Sequence, residues 1–294
     1  MKNEVVEHSA ALAGKKSAKT EKRKAFILIT PNKKWYDLDW RKLWRQRDLL
    51  KSFILRDIRL RYRQTFLGVF WTILQPLAPM LVFSFVFYRF FADFNLQVPY
   101  PIFVFAGLVP WLYFSNAVSQ AGYSLANNSY LIGKIYFPRL LLPLSSVLSG
   151  AVDFAVSSSL LFGLFIYFGI GLSWKIILLP LLWLLMAALA LAVGTIFASM
   201  SIVYRDIRNI IPFLLQMWMF LTPIVYPPEA ISENWRWLLK INPMTGIVEN
   251  IRIVLTGGAP VWSELGFSAL ITLILSLAAM IVFVRVQKYT ADVL

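Results

Sequence analysis

The sequence predicts an all-α integral membrane protein, because long apolar stretches follow a strongly basic N-terminal segment. Of the 294 residues, 59% are hydrophobic, and the mean hydropathy of +0.65 exceeds what one soluble core requires. The stretches lack the alternation of barrel strands, and each is about long enough to cross a hydrocarbon core of roughly 30 Å as a helix. We therefore expect six transmembrane helices: Leu67–Phe91, Ile102–Leu125, Leu140–Ile170, Trp174–Val203, Ile210–Tyr226 and Gly266–Val284.

Positive charge is concentrated before the first span. Residues 1–63 contain 18 Lys and Arg against 7 Asp and Glu, which is +11 of the formal net charge of +14. The positive-inside rule places this end in the cytoplasm. Because the segment adjoins a span, we expect it to meet anionic lipid or an acidic protein rather than nucleic acid. Residues 1–30 have no apolar core of a signal peptide, so we expect a flexible basic cytoplasmic tail.

Residues 31–63 place apolar side chains on one helical face among Arg and Lys. This pattern predicts an amphipathic interfacial helix, which is either a membrane-surface anchor or a gate or docking element. Residues 64–294 form the predicted six-span transmembrane domain. Basic residues in Ala126–Arg139 and Tyr204–Asn209 place these loops and the C-terminus on the cytoplasmic side as well.

The connection Pro227–Leu265 is too long for an idle external loop. Ile231–Lys240 and Met244–Leu255 read as two short amphipathic helices on either side of an Asn-Pro turn, and Trp235 suits the level of the lipid headgroups. We expect re-entrant half-helices on the outer side.

Catalytic chemistry has little support in the sequence. The chain has no cysteine, one histidine, His8, and no P-loop. Asp153 is the one acid inside a predicted span and must be buried against protein or face a cavity. A bond to a neighbouring helix, through Ser157 or a facing span, is the favoured role. We predict no catalytic residue, no metal and no cofactor in this chain. A membrane-embedded glycosyl or acyl transferase, which needs clustered acids or histidines, is a disfavoured alternative.

Four motifs then carry a family resemblance. Arg59–Pro76 reads RLRYRQTFLGVFWTILQP, and LIGKIYFPRLLLP, VDF and NPMTGIVENIR follow at Leu131–Pro143, Val152–Phe154 and Asn242–Arg252. In this order they resemble the permease subunit of polysaccharide-exporting ABC transporters, a type-2 exporter family for O-antigen, capsule or teichoic acid. The likeness spans about residues 40–290.

The resemblance implies a homodimer in the bacterial cytoplasmic (inner) membrane, resting on two copies of a cytoplasmic P-loop ATPase subunit that binds ATP and magnesium. The implied substrate is an undecaprenyl-linked polysaccharide, with O-antigen foremost. An ABC exporter of lipids or drugs with the same architecture stays an alternative.

The resemblance also implies roles for particular residues. The coupling helix that docks on the ATPase would contain Leu131, Lys134, Tyr136 and Arg139. The interfacial or gate helix would contain Trp40, Trp44, Arg56, Arg61 and Arg63, and the exterior gate Trp235, Asn242, Pro243 and Arg252.

Candidate channel-lining residues lie in the first and fifth spans. Pro76 and Pro79 are expected to bend the first span, either as tolerated membrane prolines or to shape a pore. Aromatic faces stack on sugar rings, although packing against lipid or core is the commoner role for such side chains. The candidates are Trp71, Gln75, Phe83, Phe87, Trp218 and Phe220.

Overall fold

A computed structural model describes residues 45–63, 68, 70–91, 94, 96 and 98–293 of the chain, with side chains as far as residue 287. Trp40 and Trp44 of the predicted interfacial helix, and the predicted tail 1–30, lie outside the described residues.

The described residues form helices joined by short connections, with no strand among them. Short 3₁₀ helices lie at Trp174–Leu178 and Glu233–Trp235. The α-helices are α1 Arg47–Tyr62, α2 Phe70–Phe87, α3 Tyr100–Asn127, α4 Ser129–Lys134, α5 Leu141–Ser149, α6 Ala151–Tyr167, α7 Leu179–Val203, α8 Ile207–Phe220, α9 Arg236–Ile241, α10 Pro243–Leu255 and α11 Trp262–Val293.

Among the described residues, five helical stretches are long and apolar enough to cross a membrane, judged by length and composition. They correspond to the first four predicted spans and to the last. Their bounds are Phe70–Phe87, Tyr100–Asn127, Leu141–Tyr167, Trp174–Val203 and Trp262–Gln287. The all-helical membrane class is therefore confirmed, together with five of the expected spanning helices.

The fifth predicted span, Ile210–Tyr226, is not one continuous helix. Helix α8 has 14 residues and ends at Phe220, so it rises about 21 Å, short of a hydrocarbon core of roughly 30 Å. Pro223 explains the end of the helix, because proline lacks an N–H and disfavours helical backbone at the residue before it. Residues 221–226 continue without regular helix.

The non-helical segment after α8 continues along α3 in the same direction as α8. At one end of α3 the Tyr123 hydroxyl donates to the carbonyl of Arg208 at 3.1 Å. Near the middle of α3, the ring of Trp218 meets that of Phe114 at 5.1 Å between centroids. At the far end, the Tyr100 hydroxyl donates to the Val225 carbonyl at 2.8 Å. Residues 208–225 therefore run antiparallel to α3 over most of its length.

Helix α3 is the centre of the bundle and is buried along nearly its whole length. Small residues let its neighbours approach closely, as membrane helices commonly do. A Cβ added at Gly194 of α7 would lie 2.6 Å from the Cβ of Ala121, and one at Gly122 would lie 2.8 Å from the Cδ1 of Ile211. The outer helices α2, α6 and α11 expose large apolar side chains instead.

The prolines of α2 do not break it. Pro76 and Pro79 both lie inside the helix Phe70–Phe87, so they do not end it, and the expected bend of the first span stays a prediction. A break occurs instead in the third span, at Gly150 between α5 and α6. There the Tyr113 ring lies 3.2 Å from where a Cβ would stand, which leaves little room for a larger residue.

Candidate functional site

The end of α1 is bound to the start of α6 by charged and polar side chains. The Arg61 guanidinium forms an ion pair with Asp153, and the Tyr62 hydroxyl donates to the other carboxylate oxygen of Asp153. Burial lowers the pKa of Arg61 from its ordinary value, although an arginine remains protonated. Asp153 thus has partners that offset the cost of a carboxylate in a span. Both partners lie in α1. Ser157, the partner suggested by the sequence, donates instead to the Thr72 carbonyl at 3.3 Å.

One turn earlier, α1 is bound to α5 and to the start of α4. Asp57 accepts from Arg56 Nη2 at 2.9 Å and from the Ser145 hydroxyl of α5 at 3.0 Å. Arg56 Nη1 also donates to Asn128 Oδ1 at 3.0 Å, and Asn128 is the residue between α3 and α4. We call Arg56, Asp57, Arg61, Asn128 and Asp153 the inner junction. It connects α1 with α4, α5 and α6.

An apolar cluster supports the inner junction. The rings of Phe53 in α1 and Phe137 after α4 lie 5.6 Å apart, and the Arg56 guanidinium lies 4.9 Å above the Phe53 ring. Leu131 of α4 packs against the same cluster. A displacement of α4 would therefore be transmitted to α1 through both polar and apolar contacts.

The predicted docking residues divide into an inward and an outward set. Leu131 faces the cluster, and Arg139 is half-buried. Tyr136 and Lys134 are exposed, with the Lys134 ammonium 4.2 Å from the centre of the Tyr130 ring. Docking on an ATPase remains a prediction. Arg63, assigned to the gate helix, is exposed just after α1.

Arg252 organises the opposite end of the bundle. Its guanidinium donates to the carbonyls of Phe103 at 3.2 Å, Pro223 at 2.6 Å and Ile224 at 2.6 Å. It also pairs with Glu249 at 2.7 Å, and it lies 3.6 Å above the Phe103 ring. We call this arrangement the outer clamp.

The clamp explains how non-helical backbone exists inside an apolar bundle. Such backbone is tolerated at membrane depth only where protein groups bind its polar atoms. Arg252 donates to the carbonyls of Pro223 and Ile224, and the Tyr100 hydroxyl donates to that of Val225. A fully buried arginine in turn needs acceptors. The buried guanidinium of Arg252 and the carbonyls after α8 therefore provide each other with hydrogen-bond partners.

Asn242, predicted for the exterior gate, joins α8 to α10. Its Oδ1 accepts from Trp218 Nε1 at 2.8 Å and from the Met244 backbone N–H at 3.0 Å, while its Nδ2 donates to the Thr222 hydroxyl at 2.8 Å. Pro243 is buried at the first position of α10, and Trp235 is exposed. The predicted outer helices therefore exist, as α9 and α10, with their buried ends bound to α8.

The candidate channel-lining residues do not share one surface. Trp218 is bound to Asn242 and packs on Phe114, and Phe83 and Phe87 pack together against the core with 6.2 Å between ring centroids. Trp71, Gln75 and Phe220 are exposed. A channel role stays a prediction for all six.

The residues of these sites that the sequence did not point to include Asp57, Tyr62, Asn128 and Glu249. Asp57 is one of two acids in the described part of a strongly basic helix, which was the available signal for an ion pair. Glu249 precedes Arg252 by three residues, a spacing that places both on one helical face. Asn128 and Tyr62 carried no local signal.

Comparisons with known proteins identify relatives over most of the chain. A model of the ABC-2 type transporter family matches residues 48–256. An O-antigen export system permease protein RfbA of Myxococcus xanthus is 33% identical over 217 residues, 73% of this chain and 82% of that protein. A protein of the same name from Klebsiella pneumoniae is 24% identical over 84% of this chain and 95% of its own length. The polysialic acid transport protein KpsM of Escherichia coli is 26% identical over 78% of this chain and 90% of its own.

Proposed function

The chain belongs to the ABC-2 type transporter family, and we propose that it is the channel-forming permease subunit of an ATP-driven polysaccharide exporter. It would work as a homodimer on two copies of a P-loop ATPase subunit, which bind ATP and magnesium. The absence of a P-loop from the sequence supports a separate ATPase. This chain would then perform no catalysis itself.

The substrate we propose is an undecaprenyl-linked polysaccharide, most simply O-antigen. The similarity to proteins of O-antigen export and of polysialic acid transport is the observation that carries this assignment. A lipid-linked polymer needs a hydrated path for its sugars and an apolar path for its isoprenoid chain. The exposed apolar side chains of α2, among them Phe85, supply surface of the second kind.

We propose that the chain crosses the cytoplasmic membrane six times, with both termini in the cytoplasm. Residues 207–226 would be the fifth crossing, built from α8 and the non-helical segment after it. Their alignment along most of α3 supports this. Helices α9 and α10 would then enter from the outer side and turn back at Asn242, as re-entrant half-helices.

The inner junction supports a mechanism for coupling. If ATP binding makes the ATPase dimer bind one arrangement of the permease better than the other, the equilibrium between arrangements shifts. Lys134 of α4 and Tyr136 just after it are exposed to such a partner, and Arg56 bonds to Asn128 at the base of α4. Movement of α4 would thus be transmitted to α1.

Affinity purification of the full chain from its native host, in mild detergent with mass spectrometry of its partners, tests the proposal. We expect a P-loop ATPase in equal amount. The variant Tyr136→Ala should reduce its recovery, whereas Tyr167→Ala, an exposed tyrosine at the opposite end of the bundle, should not. A chain that repeatedly purifies alone would contradict the ATPase, and a deletion strain with normal surface polysaccharide would contradict the substrate.

A further inference from the structure

A basic cleft lies beside α4, at the same end of the bundle as the inner junction. It has a volume of about 300 Å³ and is formed by the end of α3, the start of α4, the end of α7 and the start of α8. Three of its lining residues are arginines: Arg139, Arg205 and Arg208. We propose that this cleft binds the phosphate group of an anionic lipid.

The charge around the cleft favours an anion. The stretches 125–140 and 201–210 contain Lys134 and the three arginines against a single acid, Asp206, whose side chain is exposed. Arginine donates in a planar fork that matches phosphate oxygens, and several such donors bind a phosphate more tightly than one. Arginines near the C-terminus of α7 also complement its helix dipole, but that effect alone would not require a cleft.

A buried hydroxyl is the second, independent observation. Ser201 lines the cleft, is only 4% exposed, and its Oγ has no hydrogen-bond partner among the described residues. A buried polar group left unpaired costs free energy. Ser199, two residues earlier in α7, shows the usual solution, because its hydroxyl donates to the Thr195 carbonyl at 2.8 Å. A phosphate oxygen in the cleft would give Ser201 the acceptor it lacks.

The apolar part of the cleft wall points to a lipid rather than a soluble phosphate. Leu125, Ile132 and Ile202 line the same cavity as the arginines. It also lies where two apolar spans, α3 and α7, end, which is the level of the lipid headgroups if these helices cross a bilayer. Basic pockets between transmembrane helices at this level bind anionic headgroups.

Two kinds of anionic lipid would supply this phosphate group. One is a bilayer phospholipid such as phosphatidylglycerol, and the other is undecaprenyl diphosphate, the carrier end of the proposed substrate. The second possibility rests on the proposed function, whereas the first does not. Lipid binding by the purified chain can be measured without an ATPase or a transport assay, so failure of this inference and failure of the proposed function are distinguishable.

Native mass spectrometry of the full chain, purified in mild detergent, tests the site by titration with four probes: phosphatidylglycerol, phosphatidylcholine, undecaprenyl diphosphate and inorganic phosphate. We expect phosphatidylglycerol to bind more tightly than phosphatidylcholine. Arg205→Gln should weaken the binding of the anionic lipids about tenfold, as loss of a charge-assisted hydrogen bond would. Tighter binding of undecaprenyl diphosphate than of phosphatidylglycerol would identify the carrier as the ligand, and equal binding would identify a general headgroup site.

Matched variants separate the site from general effects. Ser201→Ala removes an unpartnered buried hydroxyl, so it should leave the thermal stability unchanged or slightly raised while weakening lipid binding by about threefold or more. Ser199→Ala makes the same change outside the cleft lining, and Lys240→Gln removes an exposed positive charge near the opposite end; neither should alter lipid binding.

Three results would overturn the proposal. The first is equal lipid binding by the wild type, Arg205→Gln and Ser201→Ala. The second is binding of inorganic phosphate as tight as that of the lipids. The third is a loss of ATPase recovery in Arg205→Gln with lipid binding unchanged, which would assign the cleft to the interface with a protein partner.

Discussion

The inner junction and the outer clamp hold their arginines in different ways. Arg61 binds the Asp153 side chain of another helix and Arg56 binds the side chains of Asp57 and Asn128, and the two arginine side chains are 26% and 34% exposed. Arg252 binds three main-chain carbonyls, and its side chain is only 7% exposed. A side-chain acceptor can rotate or exchange partners when helices shift, whereas a carbonyl moves only with its backbone. We infer that the clamp is a fixed frame and that the junction is where helices can rearrange.

The largest expected effect is that of removing the clamp. Arg252→Met should destabilise the chain by about 3 to 5 kcal/mol, because it leaves buried carbonyls and the Glu249 carboxylate without a partner. The measurement is thermal unfolding in detergent, followed by fluorescence and size-exclusion chromatography. Arg236→Met is the matched control, since Arg236 is half-exposed and makes a 3.8 Å ion pair with the exposed Glu233; we expect a change within about 1 kcal/mol. Equal stability of the two variants would contradict a structural frame at Arg252.

An intermediate effect is expected from crowding the clamp without removing it. At Gly107 of α3 an added Cβ would stand 2.5 Å from Arg252 Nη2 and 3.1 Å from the Ile224 carbonyl oxygen. Gly107→Ala should therefore cost about 1 to 3 kcal/mol. Gly163→Ala in α6 is the control, because no atom lies within 4 Å of its added Cβ, and it should be neutral or stabilising by roughly 0.5 to 1 kcal/mol. The same unfolding assay decides, and a Gly107→Ala protein as stable as Gly163→Ala would show that the clamp adapts.

The smallest effect is expected at the junction. A double-mutant cycle of Arg61→Gln and Asp153→Asn should give a coupling energy of about 1 kcal/mol, reduced by solvent screening because both side chains are partly exposed. Denaturation midpoints of the wild type, the two single variants and the double variant provide the cycle. A coupling as large as the whole effect of Arg252→Met would erase the difference between the two sites.

Asp153→Asn should also leave assembly intact, and loss of export by a normally assembled complex would assign Asp153 a role beyond binding α1.

The spanning helices were predictable because each is an uninterrupted apolar stretch that must satisfy its own backbone. The short helices after Pro227 were predictable for a related reason, since Trp235 and the Asn242–Pro243 turn give local signals. Both kinds of inference use neighbours in the sequence. They therefore fail where the decisive partner is remote.

Residues 221–226 show the first such failure. They read as the end of an apolar span, and Pro223 alone did not exclude a helix, because membrane helices tolerate proline. Pro223 ends the helix, and Arg252, 29 residues later, stabilises the non-helical backbone by donating to the Pro223 carbonyl. Asp153 shows the second, since its partners Arg61 and Tyr62 lie some 90 residues earlier. The hydrophobic periodicity of the sequence does not reveal where along the length of the bundle α1 packs.

The outer clamp also has a consequence for how this part of the chain can vary between related proteins. Arg252 and Tyr100 donate hydrogen bonds to the main-chain carbonyls of Pro223, Ile224 and Val225. Every residue type provides such a carbonyl. Substitutions at residues 224 and 225 that fit the available space keep those bonds. One inserted or deleted residue between Phe220 and Tyr226 would instead move each carbonyl away from its donor. Length, rather than composition, is what this segment must preserve.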